Sequence, residues 1–329
     1  MSIHKPVLLN EVINFWVNPK ILEKEKIVFI DATCGEGGHS LRLLKKAKKE
    51  KRLKKLKLIC IDKDPEILKL ANKALKKFKK NVIFVNRGFE NLDKILEELK
   101  IKKIDGILFD LGASTFHFKK AKRGFSFAED SFLNMRFDAR KKKMFSNKSL
   151  KGENLTAFDV VNFFSERDLK NIIQKLGEER MAKRITKFII KRRKEKLIET
   201  SRELAEIVSQ AIPKKNRLKK IHPATKTFQA LRIYVNKELE NIEKGLEKTI
   251  EKLDKNARIL VISFHSLEDK IVKHIFKEKS EPKKDEVYGN LIKESQLKIL
   301  TKKPILASQK ELVANPASRS AKLRIVERR

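Results

Sequence analysis

Cysteine is scarce in this chain, with two in 329 residues. Cys34 and Cys60 make neither a disulfide framework nor a metal quartet. Both fall in strand-like runs, so they read as small buried hydrophobes in a reducing compartment. Glycine (11) and proline (8) are too few for a collagen-like chain or a linker protein. The six histidines are scattered without ligand spacing, so no metal is expected. No run approaches the ~18 apolar residues of a membrane span, and residues 1–10 hold no apolar signal core. The expectation is a cytoplasmic protein with no membrane association. Acidic residues are also short: 43 Asp+Glu against 79 Lys+Arg leave a formal charge of +36.

Hydrophobic residues nevertheless reach 40% and come in clusters, which excludes a disordered polybasic tail. Lys dominates the charge and Ile, Asn and Phe are abundant, a pattern that fits an AT-rich coding bias as well as function. The remaining excess favours a polyanionic partner, with nucleic acid first and an anionic membrane surface second. The length suggests two domains of roughly 100–200 residues.

The first third alternates short apolar runs with amphipathic ones. Lys26–Asp31 (KIVFID), Leu58–Asp62 (LICID), Val82–Asn86 (VIFVN) and Ile104–Leu111 (IDGILFDL) read as buried strands. Helices are expected at His39–Lys49, with Leu41, Leu44 and Ala47 on one face, after Pro65, and at Asn91–Lys100. Such alternation means right-handed crossovers and a parallel sheet. From about Phe116 to Lys220 only helical patterns occur, at Asn154–Phe164, Glu166–Leu176, Glu178–Arg193 and Thr200–Ala211, with Asp168, Thr200 and Ser201 near helix starts. A long helix over about 226–253, a strand Arg258–Phe264, a helix over about 267–277 and a late strand Ala321–Val326 then resume the α/β pattern. The predicted organisation is an α/β domain of residues 1–115 and 218–329, interrupted by an all-helical domain of residues 116–217.

Several motifs carry chemistry. Asp31-Ala-Thr-Cys-Gly-Glu-Gly-Gly38 follows the first strand and opens a helix, where glycines let backbone approach a ligand and unpaired N–H groups face it. The competing reading is a tight strand-to-helix turn. Ser40 stands where a dinucleotide fingerprint has its third glycine. Asp62 ends the second strand, 24 residues after Gly38, and is either the acceptor of ribose hydroxyls or a helix cap. Together these features point to an adenosine-containing cofactor, NAD or S-adenosylmethionine. Asp110-Leu-Gly-Ala-Ser lies at the tip of the fourth strand, where the reactive end of such a cofactor would arrive, whereas Asp105 at the other end reads as a turn residue. His265, at the tip of a later strand, is a candidate acid, base or donor. Ser266, Glu268 and Asp269 after it resemble a helix cap. Arg232 and Asn236 share a helix face, for function or for a solvated surface.

The sequence resembles the bacterial small-subunit ribosomal RNA cytosine-N4 methyltransferases along almost its whole length. The matching stretches are His4–Glu11 (HKPVLLNE), Asp31–Ser40, Ile104–Ser114, Arg123–Phe127 (RGFSF), Gly177–Arg180 (GEER), His222–Glu238, Ser263–Lys273 (SFHSLEDKIVK) and Asn315–Arg324 (NPASRSAKLR). The resemblance implies a class I (Rossmann-like) methyltransferase sheet with an inserted all-helical domain and S-adenosyl-L-methionine as methyl donor. It also implies N4 of a cytidine in the decoding region of 16S rRNA, within the small ribosomal subunit, as acceptor. Cofactor contacts fall by motif on Gly37, Gly38, His39, Asp62, Phe89 and Asp110, and a further position, usually Gln, matches His117. Asn134 stands where the family usually has Asp.

The Asn/Asp-Pro-Pro-aromatic motif of many amino-methyltransferases is absent. Asp110 occupies the matching position and is the expected catalytic carboxylate, with His265 second. Arg180, Lys183, Arg184, Arg192 and Arg193 are expected on RNA phosphates. The alternative from another class is a non-catalytic RNA-binding or ribosome-assembly protein that keeps the fold. An NAD-dependent oxidoreductase is disfavoured by Ser40 and by the charge. The oligomeric state, monomer or homodimer, is left open.

Overall fold

The structure is a computed structural model and describes residues 5–16, 18–138, 140, 154–214, 222–284 and 291–329. It divides into two compact units, residues 1–112 with 239–329, and residues 113–238.

The chain opens with α1 (Leu9–Trp16) and α2 (Pro19–Leu22). It then alternates β1 (Ile27–Asp31), α3 (Gly38–Lys49), β2 (Leu56–Ile61), α4 (Pro65–Ala74), β3 (Val82–Val85), α5 (Leu92–Glu98) and β4 (Ile104–Asp110). The helical unit holds α6 (Thr115–Lys119), α7 (Ala157–Phe163), α8 (Glu166–Gly177), α9 (Ala182–Glu195), α10 (Ser201–Ala211) and α11 (Thr225–Asn236). The remainder runs through α12 (Glu238–Lys252), β5 (Leu253–Ser263), α13 (Ser266–Ser280), β6 (Lys283–Lys284), β7 (Leu291–Lys293), β8 (Leu297–Ile299), β9 (Ile305–Leu306), α14 (Gln309–Ala314) and β10 (Lys322–Arg328). Among the described residues no helix is long and apolar enough to cross a membrane.

In the α/β unit the sheet order is β3-β2-β1-β4-β5-β10-β8, with β9 also on β10. The first five strands are parallel and β10 runs antiparallel to β5. This is the class I methyltransferase sheet that the resemblance implies. Its strands are near-continuous Ile, Leu, Val and Phe because both faces are covered. One face buries Phe29, Leu58 and Leu260 with Trp16 and Leu44, and the other buries Ile30, Ile59 and Ile107 with Leu96 and Ile275. On α3 the buried stripe is Leu43, Leu44 and Ala47, with Leu41 at its margin. The strand order reverses between β1 and β4, so their carboxyl ends flank the crevice where open α/β sheets bind ligands.

The helical unit buries Phe158, Val161, Ile173, Ile185, Ile189, Leu204, Val208, Phe228 and Leu231 in one core. Its helices start on local caps: Thr156, Ser165 and Thr200 each accept from the N–H three residues on. The only β pairing among its described residues is an isolated bridge between Phe132 and Thr200.

Two expectations shift here. The long helix over 226–253 is two helices, broken at Lys237, whose φ of +51° places it in the left-handed region. The unit boundary falls at 238/239 rather than 217/218, because α11 lodges Phe228, Ala230 and Leu231 in the helical core, with Ala224 just before it.

Candidate active site

The glycine loop after β1 is built by hydrogen bonds from Cys34 N to Ile61 O and from Gly37 N to Cys34 O, both 2.9 Å. Gly37 caps α3 with φ +82°, a conformation that an L side chain resists. Gly38 answers a different demand. A Cβ there would lie 2.3 Å from Cγ of Pro6, so the loop makes room for the protein's own amino-terminal segment. That segment is tied down by Glu311, whose Oε1 accepts from Leu8 N at 2.7 Å, and by Asn315, whose Nδ2 donates to Lys5 O at 3.0 Å.

His39 follows in the first turn of α3 and is 5% exposed. Its Nε2 lies 2.9 Å from the Val7 carbonyl, and its Nδ1 lies 3.7 Å from Oδ2 of Asp110. Asp110 ends β4 with 24% of its side chain exposed, and its Oδ1 has no hydrogen-bond partner among the described residues. Burial pushes the Asp110 carboxyl up to about 8, and the neighbouring charges of Asp31 and Glu268 push in the same direction. Asp31, at the end of β1, accepts from Ser40 Oγ at 2.6 Å. Burial raises it to about 6 against the Ser40 and Thr33 hydrogen bonds, and the Asp62 charge adds to the rise.

Asp62 lies just past β2 and binds its own loops. Oδ2 accepts from Gly35 N and Oδ1 from Asp64 N, both at 2.9 Å. The cap of α4 is Asp64, which accepts from Glu66 N, so the cap reading of Asp62 is replaced. A carboxylate has about four lone-pair sites, which leaves Asp62 chemically able to accept more than these two bonds. The Phe89 ring stands edge-on to Phe109 at 5.3 Å and presses on Gly245, where a Cβ would come within 2.6 Å of it.

At the tip of β5 the helix cap is His265 itself, not Ser266. Its Nδ1 accepts from Glu268 N at 3.5 Å, and its Nε2 lies 3.2 Å from Glu268 Oε1. Glu268 is fully buried, and its Oε2 accepts from Phe264 N at 2.8 Å and His265 N at 3.3 Å. Both ring nitrogens of His265 therefore face Glu268. Asp105, at the opposite end of β4, accepts from Val28 N and pairs with Lys24, an internal brace rather than a turn residue. Cys34 and Cys60 are buried free thiols, and their mutual contact and burial push the Cys34 thiol well up.

Within the α/β unit, Gly37, Gly38, His39, Asp62 and Asp110 thus gather at the carboxyl ends of β1, β2 and β4, with His265 at the end of β5, and the Phe89 ring, half-buried, packs on Phe109 and Gly245 after β3. His117 belongs to the helical unit. Its Nδ1 accepts from Ser114 N at 3.1 Å, and its ring sits 4.9–6.1 Å from Phe116, Phe125 and Phe137. In that unit Asn134 Oδ1 accepts from Arg136 Nε at 3.0 Å, and Asn236 bridges Met135 O and Phe137 N at 2.7 and 2.9 Å. Arg232 forms a bidentate pair with Glu238. Arg193, expected on phosphate, donates to Val161 O and Phe164 O at 2.8 and 2.7 Å. Arg180, Lys183 and Arg184 are exposed.

Sequence reasoning missed Asp31 and Glu268 as members of the carboxylate group around Asp110. The i, i+3 capping signal marked Glu268 as structural, and nothing local marked its proximity to a strand tip. Pro6 and Val7 lay in a matching stretch, but nothing local tied them to Gly38 and His39, since these partners lie more than 30 residues away (Val7 and His39 are 32 apart).

Comparison with known proteins bears on this geometry. A protein of Sulfurihydrogenibium sp. (strain YO3AOP1) named ribosomal RNA small subunit methyltransferase H is 49% identical over 325 residues, covering 99% of each chain. One of the same name from Caldicellulosiruptor bescii is 44% identical over 328 residues, again 99% of each chain. Among solved structures, an rRNA methylase from Streptococcus thermophilus aligns over 100% of this chain and 99% of its own. Its TM-score is 0.42 and its identity 10%, too distant a likeness to assign anything. The model of the MraW methylase family matches residues 1–329, and the chain belongs to that family.

Proposed function

We propose that this protein transfers a methyl group from S-adenosyl-L-methionine to N4 of a cytidine in the decoding region of 16S rRNA, within the small ribosomal subunit. The relatives' name supports ribosomal RNA of the small subunit as the substrate class. The observation that carries the choice of an amino-group acceptor is Asp110. It is a carboxylate at the tip of β4, at the switch point of the sheet, with Oδ1 lacking a hydrogen-bond partner among the described residues.

The residues present fit this cofactor. Asp31, Asp62, Asp110 and Glu268 form an acidic group in a chain of charge +36, which suits a ligand bearing a cationic centre. Asp62 would hold the ribose hydroxyls, the backbone at Gly37–Gly38 would face the methionine part, and Phe89 would pack near the adenine. When bound, the cofactor supplies an electrophilic methyl group on its sulfonium, so the donor needs no activation by the protein.

The acceptor is the harder side, because the N4 lone pair is delocalised into the ring. Once ionised, the Asp110 carboxylate accepts a hydrogen bond from N4, favours the pyramidal amine and takes up the developing positive charge. The target base must be unpaired or flipped, at a cost of a few kcal/mol. His265 acts in this reading through Glu268, holding the second carboxylate beside Asp110.

The experiment is transfer of labelled methyl from S-adenosylmethionine to isolated small subunits, followed by nucleoside analysis. The expected product is N4-methylcytidine at one position. Label on another nucleoside, or binding to subunits without any transfer, overturns the reading, and the second result favours an assembly protein.

A further inference from the structure

His39 sits in a glycine-loop motif that the resemblance assigns to cofactor contact, yet its ring is 5% exposed and held at both ends by the protein. The carbonyl of Val7, 2.9 Å from Nε2, can only accept, so Nε2 must carry the proton. That settles the tautomer: in the neutral ring Nδ1 is the bare nitrogen, and it is turned toward Oδ2 of Asp110 at 3.7 Å. The amino-terminal segment that supplies Val7 is packed on Gly38 and anchored through Leu8 and Lys5 to Glu311 and Asn315. The ring is therefore held by parts of the chain remote from it in sequence.

The geometry assigns His39 as the positioning residue that shares a proton with Asp110, so that the pair rather than the carboxylate alone receives the proton released from the acceptor amine. This inference rests on the reading of Asp110 given above. As the bond from N4 to the methyl carbon forms and the bond from that carbon to sulfur breaks, the proton leaving N4 passes to an Asp110 oxygen. A proton passes in turn from Asp110 to Nδ1 of His39, while Nε2 keeps its own on Val7. The imidazolium then returns its proton through Asp110 to solvent when product leaves.

The charged groups facing Asp110 are His39 from α3, Asp31 from the end of β1 and Glu268 from α13, with Asp62 acting on Asp31. Asp31 and Glu268 favour the protonated form of Asp110, and a carboxylate that stayed protonated could not serve as acceptor. A neighbouring imidazole whose Nδ1 is bare removes that obstacle, because Asp110 hands the proton it holds to His39 and is ionised as it takes up the proton from N4.

The test reads His39 directly in the ligand-free protein by 15N NMR of the side-chain nitrogens. The signal is identified by its loss in His39→Asn or, if that variant does not fold, by removing the other five histidines in turn. At neutral pH the expected state has Nε2 protonated, and Asp110→Asn lowers the midpoint of the His39 titration by about one pH unit, a tenfold loss of proton affinity. A neutral ring with the proton on Nδ1, or a midpoint unmoved by Asp110→Asn, overturns the pairing. With wild-type transfer to small subunits established, His39→Asn is expected to change the acid limb of the kcat–pH profile and to lower kcat about tenfold while leaving cofactor Kd within a few-fold. Equal losses in kcat and cofactor affinity with an unchanged profile return His39 to a binding role. Absence of transfer by the wild type removes the functional reading, and the NMR titration still decides the pair.

Discussion

Buried polar side chains serve different ends in parts of the two units. In the helical unit three of them end on backbone: Asn162 joins Phe158 O and Ile198 O to Ile198 N, Asn236 ties the turn at Met135–Phe137, and Arg193 takes up the carbonyls at the end of α7. Each such bond satisfies a group that folding would otherwise leave bare. At the strand tips of the α/β unit, carboxylates lie near one another instead, raised by burial and mutual repulsion, and Asp110 keeps an oxygen with no hydrogen-bond partner among the described residues. Such an arrangement is unfavourable for folding and is what a ligand-binding or catalytic site requires. Polar residues of family-like motifs thus separate into those that hold the fold and those left for chemistry.

This contrast can be broken by substitution. The largest effect is expected from Asp110→Asn, which should lower methyl transfer by about 10²–10⁴-fold while the protein stays folded, as assayed on small subunits alongside circular dichroism. A parallel loss of cofactor affinity in calorimetry would reduce Asp110 to a binding residue. Asn236→Ala should do the reverse: about 1–3 kcal/mol of stability lost in urea unfolding from the unsatisfied Met135 and Phe137 backbone groups, with kcat nearly kept in the remaining folded enzyme.

Gly38→Ala sharpens the comparison inside the α/β unit, because its Cβ would meet Pro6 at 2.3 Å. A loss of about 1–3 kcal/mol is expected in thermal unfolding, part of it recovered in the double variant with Pro6→Ala.

The carboxylates also make stability depend on pH. With Asp110 raised to about 8 and Asp31 to about 6, the folded protein binds more protons than the unfolded chain between about pH 4 and 8. Stability attributable to them therefore falls as pH rises through that window. The advantage of Asp110→Asn over wild type in urea midpoint should be larger at pH 9 than at pH 5, and an equal difference at both would contradict the raised carboxyl.

The smallest effect is on RNA. Lys183→Ala and Arg184→Ala, exposed on α9, should each reduce the salt slope of binding by ~0.7, whereas Arg193→Ala should leave it unchanged and cost about 1 kcal/mol of stability.

Much of this protein was legible in its residues. The alternation of Ile, Val and Leu runs with amphipathic stretches, its interruption near Phe116, the helix starts near Asp168 and Thr200, and the placing of Asp110 at a strand tip all depend on neighbours within a few residues. Backbone periodicity and capping act at that range. The break at Lys237 was hidden because a lysine in the left-handed region leaves no mark in composition. Arg193 looked like a phosphate ligand because nothing local reveals that helix carbonyls await it. Only tertiary structure decided that Gly38 faces Pro6, that α11 joins the helical core, and that His39, fixed by Val7, looks at Asp110. Those partners lie tens of residues apart in the chain, and close packing of the whole sheet, rather than any local preference, brings their atoms within reach.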